Sequence, residues 1–75
     1  MSNKMTPTEI SILALIASGY TDKMIGYRLG IAEKTVKNHL QIIYTRLRVH
    51  NRTLAVVRAY RKGYINLVEI PYGKR

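Results

Sequence analysis

The sequence predicts an all-α protein, a four-helix bundle that contains a helix-turn-helix and ends in a short extended tail. Two observations carry this expectation. Apolar residues recur at helical spacing in four stretches, most regularly at Val36, Leu40, Ile43 and Leu47. Three of the stretches open on Thr or Asn and three close on Gly, the residues that suit helix starts and stops. No linker, internal repeat or low-complexity tract interrupts them, so residues 1–65 are expected to form one domain and 66–75 a tail.

The first helix is expected over 7–18. Thr6 can cap it, Pro7 fits the first helical position, and Glu9 completes a T-x-x-E capping box. Ile12, Leu13 and Ile16 form its buried stripe, and Gly19 suits the left-handed turn that ends it. Thr21 caps the second helix, with Asp22 in its first turn, where a negative charge meets the positive end of the dipole. Ile25 and Leu29 face inward, Gly26 permits the close approach of another helix, and Gly30 ends the segment. A longer third helix begins near Glu33, and a short helix, a glycine-containing turn and a longer helix make a helix-turn-helix pattern. The fourth helix follows Asn51 and closes at Gly63, with Ala55, Val56 and Ala59 packed inward. The tail "YINLVEIPYGKR" has no helical period.

Composition narrows the function. Thirteen Lys and Arg against four Asp and Glu leave a net charge of +9 on 75 residues, which points to nucleic acid as the natural partner. The competing explanation, a basic membrane-surface protein, would normally show a lysine-rich amphipathic helix without a separate globular pattern. There is no cysteine, and His39 and His50 lack metal-ligand spacing, so no metal or cofactor is expected. Three of the four carboxylates, Glu9, Asp22 and Glu33, stand at helix starts, and Glu69 lies in the tail. No catalytic constellation can be named among them, and the chain is not expected to be an enzyme. No apolar run approaches the roughly 18–20 residues that cross a bilayer. "MSNKM" lacks the apolar core of a signal peptide, and a cytoplasmic, nucleoid-associated protein is expected.

On the third helix Lys34, Lys37, Asn38, Gln41 and Thr45 share a face away from the apolar seam. No carboxylate follows Glu33 as far as Leu47, so i,i+4 ion pairs are not expected to support it. Lys37, Asn38 and Gln41, at i, i+1 and i+4, could read base edges in a major groove. Lysine donates to guanine O6 and N7, and Asn or Gln pairs with adenine N6 and N7. Phosphate contacts are expected from Thr21 and Lys23, from Lys34 and Thr35, and from Arg46. With about eight phosphates neutralised by a dimer, log K would fall with log salt at a slope near −7. On the fourth helix Leu54, Val57, Arg58 and Arg61 form a second stripe, either a surface with two stray apolar groups or a contact between two copies.

These motifs resemble a known family. From Met5 to Ile65, "MTPTEISILALIASG", "TDKMIGYRLGIAEKTVKNHL" and "RLRVHNRTLAVVRAYRKGYI" are similar to the LuxR/GerE-type DNA-binding domain, and the "EKTVKNH" to "RTLAVV" spacing is highly specific. The resemblance implies four helices, the third entering the DNA major groove and the fourth pairing two copies over a roughly palindromic site. It implies base reading at Lys37, Asn38 and Gln41. His39 resembles the histidine of the family's "KNH" and is open to two roles, a phosphate contact or a bridge between helices. Nothing precedes the domain, so the chain is similar to the stand-alone GerE kind, with no phosphorylation or ligand input expected.

The departures from the pattern are specific. Ala32 replaces the usual Ser or Thr cap of the third helix, Arg48 replaces a common glycine at its end, and Ser11 replaces a glutamate. Ile10, Tyr20, Met24, Tyr27 and Ile42 are apolar or aromatic where polar side chains are usual. They are either ordinary apolar surface or a second interface with RNA polymerase or another regulator. The rival class is a module that binds such a protein without reading DNA itself.

Overall fold

The computed structural model describes residues 4–66, and the expected tail beyond Asn66 lies outside the described residues. Four helices follow in order: α1 (Pro7–Ala17), α2 (Asp22–Leu29), α3 (Glu33–Leu47) and α4 (Arg52–Arg61). The described residues contain no strand.

Helix starts follow the local chemistry. Thr6 Oγ1 accepts from the Glu9 amide at 3.1 Å while Glu9 Oε1 accepts from the Thr6 amide at 2.9 Å, a complete capping box. Met5 before the cap and Ile10 four residues into the helix both pack on the core, the positions of a hydrophobic staple. Thr21 and Asn51 cap α2 and α4 by accepting from the Met24 and Leu54 amides at 3.1 and 2.8 Å. Ala32 caps α3 with no side-chain bond, as the sequence leads one to expect.

All four helices stop in the same way. A residue with positive φ follows each, directly at Gly30 and Arg48 and one residue later at Gly19 and Gly63. The next amide then reaches back five residues: Tyr20 to Leu15 O at 3.0 Å, Ile31 to Gly26 O at 2.9 Å, Val49 to Tyr44 O at 3.0 Å, and Tyr64 to Ala59 O at 2.9 Å. This is the Schellman closure, and the apolar residue behind each stop packs on the core. The Arg48 substitution therefore leaves the turn intact, with a side chain held at φ 59° where glycine is the easier occupant.

The core draws on every helix and on Met5 and Val49. Ile12, Leu13, Ile25, Val36 and Ile43 are fully buried, and each such side chain contributes about 1.5–3 kcal/mol relative to exposure. The predicted seam of α3 is buried at all four positions. Leu29 and Val56 are half-buried at the edge of the core. Gly26 admits the turn and the first residue of α3 rather than the side of a helix. A Cβ there would lie 2.7 Å from Ile31 O and 3.3 Å from Glu33 N, so glycine lets the helix-turn-helix close tightly.

Candidate nucleic-acid interface

The outward face of α3 is set by its buried seam. Because Val36, Leu40, Ile43 and Leu47 point into the core, Lys34, Lys37, Asn38, Gln41 and Thr45 are exposed. The Asn38 and Gln41 side chains make no hydrogen bond within the described fold. The C-terminal half of this face opens onto a groove of about 580 Å³ lined by Gln41, Tyr44, Thr45, Arg48, Val49 and His50.

Lys37 is held more firmly than its exposure suggests. Its ammonium donates to Asp22 Oδ2 at 3.2 Å and lies 3.6 Å from Glu33 Oε2. The second contact corrects the expectation that α3 would lack an i,i+4 ion pair, because Glu33 itself reaches the first lysine one turn on. Asp22 also has Arg52 Nη2 2.9 Å from Oδ1, a close ion pair in which that oxygen still receives no aligned hydrogen bond. Burial opposes ionisation of Asp22, but the close guanidinium charge of Arg52, with the hydrogen bond and charge of Lys37, outweighs it and holds the carboxyl below the usual aspartate range. The same bond to Asp22, with its charge, raises the Lys37 ammonium above the usual lysine range, helped by Glu33.

The expected phosphate-binding residues divide. Thr21, Lys23 and Lys34 are exposed and Thr35 is half-buried. Lys23 and Lys34 form no ion pair among the described residues. Arg46 differs from expectation: its Nη1 donates to Glu9 Oε1 and to Lys4 O, both at 3.0 Å, tying α3 to the start of α1. A nearly buried carboxylate demands a partner, and Arg46 supplies it. His39 is half-buried and lines a groove with Pro7, Thr8, Ser11, Leu29 and Ile31, which places it between helices.

On α4, Leu54 and Val57 are 45% and 43% exposed, and with Arg58 and Arg61 they border one groove. Arg58 donates to Leu47 O at 2.8 Å, closing the end of α3, so it has an internal task as well. Of the apolar departures, Ile10 and Tyr20 pack on the core, and the Tyr20 hydroxyl accepts from Arg28 at 2.6 Å. Met24, Tyr27 and Ile42 remain exposed, Tyr27 at 91%. Sequence reasoning missed Arg52 and the structural role of Arg46, since neither pairing leaves a local signal.

The model of the luxR family of bacterial regulatory proteins, GerE, matches residues 3–59. The chain belongs to this family. The fold agrees with that of a solved luxR-family structure, that of the transcription factor GerE, at a TM-score of 0.82 and 34% identity, over 89% of this chain and 98% of that one. Among curated luxR-type relatives, the transcriptional regulatory protein DegU of Brevibacillus brevis is 41% identical over 63 residues, 84% of this chain and 27% of that protein. LiaR of Bacillus subtilis is 47% identical over 62 residues, 83% of this chain and 29% of that protein. The nitrate/nitrite response regulator NarL of Escherichia coli K12 is 44% identical over 55 residues, 73% of this chain and 26% of that protein. The chain thus spans under a third of the length of these relatives. It is a transcription-regulator helix-turn-helix domain of the LuxR, GerE and NarL type. No helix among the described residues is long and apolar enough to cross a membrane.

Proposed function

We propose that this luxR-family domain binds duplex DNA sequence-specifically by laying α3 in the major groove, with Lys37, Asn38 and Gln41 at base edges. One observation carries it. Asn38 and Gln41 expose amide side chains with no partner among the described residues beside an ammonium, on a helix whose opposite face is wholly committed to the core. Lys23, Lys34, Thr21 and Thr35 supply phosphate contacts, joined by the amides that Ala32 leaves uncapped at the start of α3. Arg46 is left out of this set because Glu9 holds it. His39 is assigned to the helix junction. The work of such a regulator places it in the cytoplasm, on the nucleoid.

Two copies pair through Leu54, Val57 and Arg61, with Arg58 at the edge, so that two α3 helices meet half-sites about one turn of DNA apart. Selection of bound duplexes from a random pool, followed by electrophoretic shift on the enriched site, tests the proposal. A roughly palindromic motif is expected; equal affinity for enriched and random duplexes would refute it.

A second surface is favoured by α2. Met24 and Tyr27, three residues apart, stand exposed beside Lys23 on its outward side, the place for RNA polymerase or another regulator to dock. Tyr27→Ala is then expected to reduce transcription from the enriched site in a purified system while leaving DNA affinity intact. Loss of both together would count against a separate docking face.

A further inference from the structure

Asp22 opens α2, where the helix dipole alone would account for an acid. Its carboxylate nevertheless goes further. It is nearly buried, and it gathers one cation from α3 and one from α4. Arg52 approaches Oδ1 without aiming an N–H along it, so Lys37 is the cation that makes a hydrogen bond to this carboxylate. An unpaired lysine on an exposed helix face would sample many rotamers and meet any phosphate within reach. Lys37 is instead anchored fifteen residues away in sequence, with Glu33 on its other side. An ammonium has three donors; Asp22 takes one, and Glu33 at 3.6 Å attracts the charge without accepting a hydrogen bond, so two remain for partners outside the protein.

We infer that Asp22 is a positioning residue for Lys37: it withholds the ammonium from the phosphates of arbitrary DNA and holds it where only correctly placed base acceptors meet its remaining donors. This rests on the base-reading role proposed for Lys37. Asp22 thereby lowers affinity for random DNA and raises discrimination, although it touches no base. The device is electrostatic as well as steric. A buried negative charge beside the reading amine makes its transfer to a nearby phosphate costly, while a base edge can be met without breaking the Asp22 bond.

The test measures affinities of the full chain for the enriched duplex and for a random duplex of the same length, by fluorescence anisotropy. The variants are Asp22→Asn, Lys37→Ala, their combination, and Arg52→Gln. For Asp22→Asn the random duplex is expected to bind several-fold tighter, with a salt slope steeper by about one. The ratio of enriched to random affinity should fall about tenfold. In the Lys37→Ala background the same substitution should change that ratio less than about twofold. Arg52→Gln leaves the Asp22–Lys37 bond in place and should keep the ratio; if it reproduces the Asp22→Asn loss, general loosening of the α2 start is the cause and the inference falls. An unchanged ratio in Asp22→Asn, with Lys37→Ala still losing discrimination, overturns the role of Asp22 alone. If Lys37→Ala costs enriched and random duplexes equally, the base-reading role of Lys37 falls and takes the positioning role with it.

Discussion

Arg46 and Glu9 form a 3.0 Å ion pair across 37 residues of chain, and the same Glu9 oxygen accepts the Thr6 amide that opens α1. One carboxylate thus closes a helix start and fastens that start to α3. Arg46→Gln is expected to destabilise the domain by about 1–3 kcal/mol, since it leaves Glu9 buried without its cation; partial exposure of the guanidinium keeps the loss below that of a fully enclosed pair. Urea denaturation measures this. The salt slope of DNA binding should not change, and a slope shallower by about one would return Arg46 to the phosphate contacts.

With Arg46 removed, each subunit is assigned about three neutralised phosphates, and a dimer about six. The expected slope of log K against log salt is near −5. Titrations between low and physiological salt on the enriched duplex measure it. A slope near −7 would mean that further cations take part, and Arg48, which has no side-chain partner among the described residues and borders the recognition face, would be the first to examine.

The Asp22 cluster makes stability depend on pH in a defined direction. Its carboxyl titrates below the usual aspartate range, so the stability it confers is present above that range and is lost as pH falls through the lowered value. Lys37 titrates above the usual lysine range, so its part is present at neutral pH and is lost only as strongly alkaline pH is reached. The urea midpoint of Asp22→Asn should lie below that of the wild type at pH 7, and the two should converge in acid. Curves that run parallel down to pH 2 would assign the effect of the substitution to something other than ionisation.

Arg48 holds a left-handed backbone where the other three helix stops have glycine. Arg48→Gly is expected to stabilise the fold by about 0.5–1 kcal/mol, the relief of strain exceeding the added freedom of the unfolded chain. Thermal unfolding reads this as a higher Tm. A lower Tm would show that the Arg48 side chain contributes more than its backbone costs.

Leu54 and Val57 are too exposed to be needed for folding of a single copy. Val57→Asp should therefore preserve the helical signal and the Tm within a few degrees, while abolishing paired occupancy of a two-half-site duplex. Sedimentation of the complex decides between one and two copies per duplex. Unchanged two-copy binding would move the pairing surface elsewhere.

How much of this was legible in the residues depends on how local the physics is. Thr6 with Glu9, Thr21, Asn51 and the helix-ending glycines act within a few residues of themselves, so caps and stops could be placed to within a residue. The α3 seam was equally plain, because a helix of 3.6 residues per turn buries Val36, Leu40, Ile43 and Leu47 together or not at all. Met5 and Val49 were missed as core, since each stands alone outside any periodic stretch.

By itself, then, the sequence determined the four helices, their order, the outward polar face of α3 and the family to which the chain belongs. Tertiary structure alone decided which cations remain available on that face. Charge pairing follows distance in space, and residues 15, 30 or 37 apart in the chain carry no mutual signal until packing brings them together. That is why Arg46 changed from a candidate phosphate contact to a tie for Glu9, and why Asp22 emerged as the residue that holds Lys37.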